Sequence, residues 1–158
     1  MIHRQIPGGK TYSFTRLLLD YNGTIARDGH LIPGVKEQII ALGKQLEITV
    51  VTADTFGTVS KELESLPVSL LILDQENQVE AKKKAVATLQ VMGHEVIAIG
   101  NGRNDEGMVG KADLGLAILG EEGLHTKCLL AADLVFGSIQ EALNLLLDEQ
   151  ALVATLRQ

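Results

Sequence analysis

The chain alternates short, wholly apolar runs with longer stretches in which apolar residues recur every three or four positions. "RLLLD" (16–20), "EITVVT" (47–52), "VSLLIL" (68–73), "EVIAIG" (95–100), "LGLAIL" (114–119) and "DLVF" (133–136) are the apolar runs. Strands without a polar face are buried on both sides, as in parallel sheets. Between them the period changes. Val35, Ile39, Leu42 and Leu46 share one helical face from about Pro33, and "TFGTVSKELESL" (55–66) follows. "VEAKKKAVATLQVMG" (79–93) reads as a long helix stopped by Gly93, and "EGLHTKCLLAA" (122–132) and "SIQEALNLLLDEQALVATL" (138–156) also read as helical. This alternation predicts an α/β fold, a doubly wound parallel sheet of Rossmann type with helices on both faces and "VSLLIL" as a core strand. Residues 1–15 predict an N-terminal β-hairpin around Pro7-Gly8-Gly9, and "IARDGHLI" a small flap hairpin turning at Asp28-Gly29. The expected organisation is one domain: the hairpin at 1–15, a core at 16–147 and a C-terminal helix or tail at 148–158.

Composition narrows the function. A chain of 158 residues has the size of one domain with a real core. Aromatic residues are 3% with no Trp, so the core must be aliphatic and a base-stacking platform is not expected. The net charge of −6 also argues against nucleic acid as a partner. No apolar run approaches ~18 residues, so no membrane span is expected. Nothing near the N-terminus resembles a secretory signal, and the expected location is cytoplasmic. Cys128 is the only cysteine and reads as a buried small hydrophobe. His3, His30, His94 and His125 have no ligand spacing; His30, in the flap, is the one to follow.

Open parallel sheets bind ligands beyond the carboxyl ends of their strands. Three runs here end in small polar residues: at Asp20, at Thr52-Ala53-Asp54, and at Asn101-Gly102-Arg103-Asn104-Asp105. Lys82, Lys83 and Lys84 lie near the start of a helix between the last two. A carboxylate, a hydroxyl, a cation and a second acidic loop at one rim suit Mg²⁺-assisted phosphoryl transfer. "GNGRND" is not a dinucleotide fingerprint, because Asp105 stands where the third glycine belongs, and no Gly-x4-Gly-Lys pattern occurs.

These motifs, in this order, resemble the haloacid dehalogenase (HAD) superfamily, and within it the phosphorylation domain of P-type ATPases. "DYNGT" is similar to that domain's Asp-Lys-Thr-Gly-Thr at Asp20, Gly23 and Thr24, and "TAD" to its Thr-Gly-Asp at Thr52 and Asp54. "KKKAVATLQ" is similar to Lys-x-x-x-Val-x-x-Leu-Gln at Lys82, Val86, Leu89 and Gln90. "GNGRND" is similar to Gly-Asp-Gly-x-Asn-Asp at Gly100, Gly102, Asn104 and Asp105. The resemblance implies Asp20 as nucleophile, with Thr52 and Lys82 on the phosphoryl oxygens. It places Gly23, Thr24, Thr52, Ala53, Lys82 and Asn104 around the substrate. Asp20, the Asn22 carbonyl, Asn101 and Asp105 fall around Mg²⁺. The segment between the first two motifs has room for a flap, one helix and one strand, so no large cap and no nucleotide-binding insertion is expected.

The departures fall on the chemistry. The superfamily's phosphatases have a second Asp as general acid and base where this chain has Asn22, and a metal-binding Asp where it has Asn101. General acid–base help is worth roughly 10²–10⁴ in rate, and an uncharged amide holds Mg²⁺ less well than a carboxylate. Two readings stay open. One is a slowed Mg²⁺-dependent phosphatase acting on a phosphorylated substrate through an aspartyl-phosphate. The other is a non-hydrolytic module that binds phosphate or holds a phosphoryl group on Asp20. The apolar surplus in "LNLLLDEQALVATL" adds an expectation of a homo-oligomer.

Overall fold

The computed structural model describes residues 1–53, 58–74 and 76–157. Its centre is the strand β2 (Thr11–Asp20), in which Phe14 and Leu17 to Asp20 are buried. The parallel strands β5 (Glu47–Thr52) and β7 (Glu95–Gly100) flank it. β6 (Val68–Ile72) lies outside β5, and β8 (Leu114–Ile118) and β9 (Leu134–Phe136) lie outside β7. The order is β6-β5-β2-β7-β8-β9, with β1 (Ile2–Gln5) antiparallel to the first part of β2. This is the doubly wound α/β architecture that the periodicity predicts, with the N-terminal hairpin and no large cap.

Alternate strand residues face opposite layers. Leu17, Leu19, Ile48, Val50, Ile97, Ile99, Leu114 and Leu116 share one core with α1 (Val35–Leu42) and α6 (Ile139–Leu147). Leu18, Val51, Val96 and Ala98 meet α3 (Gln78–Val91) and α4 (Glu106–Lys111) through Val86 and Met108. α2 (Thr58–Leu63) adds Val59 and Leu63 to the first core, and α5 (Thr126–Ala131) seats Cys128 against Val109 and Ala117. Burial pushes the Cys128 thiol up to about 12, with the carboxylates of Asp105 and Asp20 adding to the rise, so it stays protonated.

Four expectations change. The second arm of the N-terminal hairpin and "RLLLD" are one continuous strand, β2, because Thr15 and Arg16 find partners within the sheet layer: Thr15 meets His94, and Arg16 meets His94 and Glu47. "VSLLIL" is an edge strand rather than a core one, with Ile72 54% exposed. The helix read from Glu122 starts only at Thr126, because Gly120 and Gly123, at φ 51 and 85, turn the preceding loop. The long C-terminal helix is two, α6 and α7 (Glu149–Leu156). Asp148 separates them, its carboxylate accepting from the Gln150 and Ala151 N–H groups at 2.9 and 3.0 Å. Each piece then turns its own apolar face inward: Leu143, Leu145, Leu146 and Leu152 are buried, and Leu147, Ala151 and Leu156 pack on the same core. Most of the apolar residues in this stretch thus pack within the chain, while Val153 is half-buried and Ala154 exposed. Asp54 and residues 55–57 lie outside the described residues.

The flap is a two-residue hairpin, β3 (Ala26–Arg27) and β4 (His30–Leu31), turned by Asp28 and Gly29 at φ 50 and 81. Tyr21, fully buried, donates its hydroxyl to the Gly29 carbonyl at 2.9 Å and so fastens the flap to the end of β2. His30 pairs with Glu62 of α2, whose carboxyl is held below its usual range by that bond and by the Leu31 N–H.

Candidate active site

Parallel strands of one sheet end at one rim, and β2, β5 and β7 bring Asp20, Thr52 and Asn101 there. An open pocket of about 370 Å³ is lined by Asp20, Asn22, Thr52, Ala53, Lys82, Asn101 and Asn104, joined by Gln78, Gly102 and Glu122. Seven of the ten residues named from sequence therefore face one cavity. The remaining three, Gly23, Thr24 and Asp105, lie against it.

Asp105 is fully buried. Its Oδ2 accepts from the Asn101 and Gly102 N–H groups at 3.0 and 2.8 Å and folds the loop after β7 into a tight 3-10 turn, Arg103–Asp105. Its Oδ1 accepts from the Lys82 ammonium at 2.6 Å, and that ammonium also donates to Asp20 Oδ1 at 2.6 Å. The two carboxylates are thus no farther apart than twice that distance. Lys82 is 1% exposed on the second turn of α3, while its neighbours Lys83 and Lys84 are on the solvent side. Of the three lysines, Lys82 is the one that lines the pocket. The Thr24 hydroxyl, also fully buried, lies 3.1 Å from Asp20 Oδ2 and 3.3 Å from Asn101 Oδ1. Thr24 braces the carboxylate from below. Gly23, at φ 78, lets the chain turn between them. A Cβ there would meet the Asn101 amide at 2.6 Å and Glu122 Oε2 at 2.7 Å.

Burial pushes Asp20 up from 3.8 to about 7, and repulsion by Asp105 adds to it; Lys82 and Thr24 pull it back. Burial also works against the Lys82 charge, but attraction by Asp20 and Asp105 outweighs it and raises Lys82. The two shifts fit together: one cation stays charged between two acids, and near neutrality one acid competes for a proton.

Among the described residues no three acidic, histidine or cysteine side chains are close enough to hold a metal ion alone. The donors present are nevertheless hard oxygens: two carboxylates and the Asn101 amide. The Lys82 ammonium already sits between those carboxylates as a cation would. Hard oxygens of this kind suit Mg²⁺, and Asp20, Asp105, Asn101 and the Asn22 carbonyl are the groups that would hold it.

Sequence reasoning missed Gln78 and Glu122. Gln78 accepts from the Asn104 amide at 2.7 Å and fixes the side chain of Asn104. Glu122 stands between the pocket and a second cleft of about 690 Å³ under the flap, and lines both. Its position after β8 was the available clue, since that strand ends at the same rim. Arg103 is paired with Glu106 at 3.6 Å and does not line the pocket; His30 lines the cleft under the flap.

No protein-family model matches the chain. The uncharacterized protein MJ0073 of Methanocaldococcus jannaschii is 49% identical over 63 residues, 40% of this chain and 68% of that one. MJ0072 of the same organism is 51% identical over 39 residues, 25% of this chain and 89% of that one. Among solved structures, the chain is similar to 3-deoxy-D-manno-octulosonate 8-phosphate phosphatase from Moraxella catarrhalis, solved with magnesium ion, phosphate ion and KDO. The TM-score is 0.70 at 17% identity, over 91% of this chain and 94% of that one. The cobalt-bound deoxy-D-mannose-octulosonate 8-phosphate phosphatase from Haemophilus influenzae gives 0.70 at 12%, over 92% of this chain and 94% of that one. The catalytic domain of the CPx-ATPase CopB-B gives 0.62 at 22%, over 75% of this chain and 46% of that one.

Proposed function

We propose that this chain, which belongs to the same family as MJ0073 and has the haloacid dehalogenase-like fold, hydrolyses phosphate monoesters through an aspartyl-phosphate on Asp20. The observation that carries this reading is the triplet Asp20–Lys82–Asp105 at the strand-end rim, with both Asp20 oxygens held and the carboxylate facing an open pocket. The phosphatases among the structural neighbours support the same reaction class.

In this reading an Asp20 oxygen attacks phosphorus as the ester oxygen leaves. Thr52 and the Ala53 backbone line the wall against which the non-bridging oxygens rest, and Lys82 neutralises their charge. Thr24 keeps the attacking carboxylate in one orientation. Water then cleaves the acyl-phosphate and returns Asp20. Bound at the rim, Mg²⁺ would keep Asp20 ionised and offset charge on the transferred group. Asn22 lines the pocket but offers neither a proton for the leaving oxygen nor a base for the water, so turnover is slow.

The test is an array of phosphate esters with Mg²⁺, with Asp20→Asn as control and acid-quenched protein examined for phosphate on Asp20. Turnover and trapped phosphate, both abolished by Asp20→Asn, are the expected result. No phosphate on Asp20 with any donor overturns the reading. Stoichiometric phosphate on Asp20 without turnover gives the second reading, a phosphoryl-holding module, which Asn22 at the pocket wall favours.

A further inference from the structure

The pocket has a second acidic side chain besides Asp20, and nothing in the motifs accounts for it. Glu122 comes from the loop between β8 and α5. That loop is strapped to Asn101 twice: the Asn101 Nδ2 donates to the Gly123 carbonyl at 3.2 Å, and the His125 N–H donates to the Asn101 carbonyl at 2.9 Å. The straps fix Glu122 beside the residue whose position lacks a charge. The distances around Gly23 say how near. A Cβ at Gly23 would lie 2.7 Å from Glu122 Oε2 and 2.9 Å from Asn101 Oδ1. The two oxygens are therefore separated by no more than those two distances laid end to end, a span that one bridging water covers.

The neighbouring acid behaves differently. Glu121 forms an ion pair with Arg27 of the flap. Glu122 makes no hydrogen bond or ion pair with another described residue, and its side chain is exposed. A carboxylate held over a pocket without a partner, next to an amide that replaces an acid, has a clear electrostatic use. We propose that Glu122 acts on the divalent-cation site through water, not as a direct ligand, supplying from another loop the negative charge that Asn101 does not carry. The inference rests on the cation site described above and not on turnover.

A unit charge about 6 Å from a dication in water-like surroundings is worth about tenfold in affinity. The experiment is a calorimetric titration of the metal-stripped full chain with Mn²⁺, without any phosphate ester. Glu122→Gln should bind Mn²⁺ about tenfold more weakly than wild type. Glu121→Gln makes the same charge change one residue away and should stay within about twofold. Asn101→Asp added to Glu122→Gln should bring the affinity back toward wild type, because the charge returns by the other route. The proposal is overturned if Glu122→Gln binds within twofold of wild type, if Glu121→Gln loses as much, or if wild type binds no Mn²⁺. Because binding is read without substrate, these results separate from any failure of the phosphatase reading, which the Asp20 phosphate trap decides.

Discussion

Replacing Lys82 by Met tests the electrostatics of the site most directly. Met keeps most of the side-chain volume and removes the one cation between two carboxylates. Lys82 is 1% exposed and bonds each carboxylate at 2.6 Å, so nothing else in the described structure takes its place. Removing one partner of a buried ion pair costs about 3–5 kcal/mol. The cost must also depend on pH, and its sign follows from Asp20. The folded state holds the Asp20 proton more tightly than the unfolded state, with the group raised from 3.8 to about 7. Its contribution is thus fully present below about 3.8 and is lost as pH rises through about 7. Lys82 is one of the two groups that pull Asp20 down, so its removal pushes the loss to higher pH. At about pH 8 Lys82→Met should lose about 3–5 kcal/mol in urea unfolding. Near pH 5, with the proton on Asp20, only the pairing with Asp105 is lost as an ion pair, so the penalty should fall below its value at pH 8. A penalty below about 1 kcal/mol, or one unchanged between the two pH values, would refute this account of the triplet.

Asn22→Asp should raise turnover by roughly 10²–10⁴ on esters with poor leaving groups and little on nitrophenyl phosphate, whose product leaves as an anion; equal rates on both classes would remove Asn22 as the missing acid. Gly23→Ala should cost about 1–3 kcal/mol in urea unfolding, because φ 78 is strained for alanine and the added Cβ meets Asn101 and Glu122. An unchanged unfolding midpoint would show that the turn relaxes freely. Asp148→Ala should cost about 1 kcal/mol and lower the helical circular dichroism signal by melting α7, with the pocket unaffected.

The strands and the rim were legible because each apolar run is short and ends in Gly, Asp, Asn or Thr, so their order on the sheet edge follows from topology. β6 was misplaced because exposure at a sheet edge leaves no mark in "VSLLIL"; the run reads the same wherever the strand sits. The break at Asp148 was hidden because the residues on both sides keep helical spacing, and only the carboxylate turning back onto two N–H groups shows that a new helix begins. Three lysines in a row hid which of them turns inward: the resemblance's spacing favoured Lys82, but only the packed helix shows Lys82 buried and Lys83 and Lys84 exposed. Glu122 was illegible for a geometric reason. Its place depends on two glycines in left-handed conformations and on bonds to Asn101, residues far apart in sequence.

The order of strands also dictates when the site can exist. β2 emerges early in synthesis, yet Leu19 pairs with Ile99, 80 residues further along the chain. Asp105 arrives later still. Closing so long a loop costs entropy before any contact is made, which slows folding. Until β7 docks, the nascent chain carries Leu17, Leu18 and Leu19 with one flank unpaired, a template for pairing with other chains. The strand that presents Asp20 is thus the first central element translated and among the last to be completed. Conditions that slow synthesis between β2 and β7 should lower the yield of folded protein more than a slowdown after Gly100.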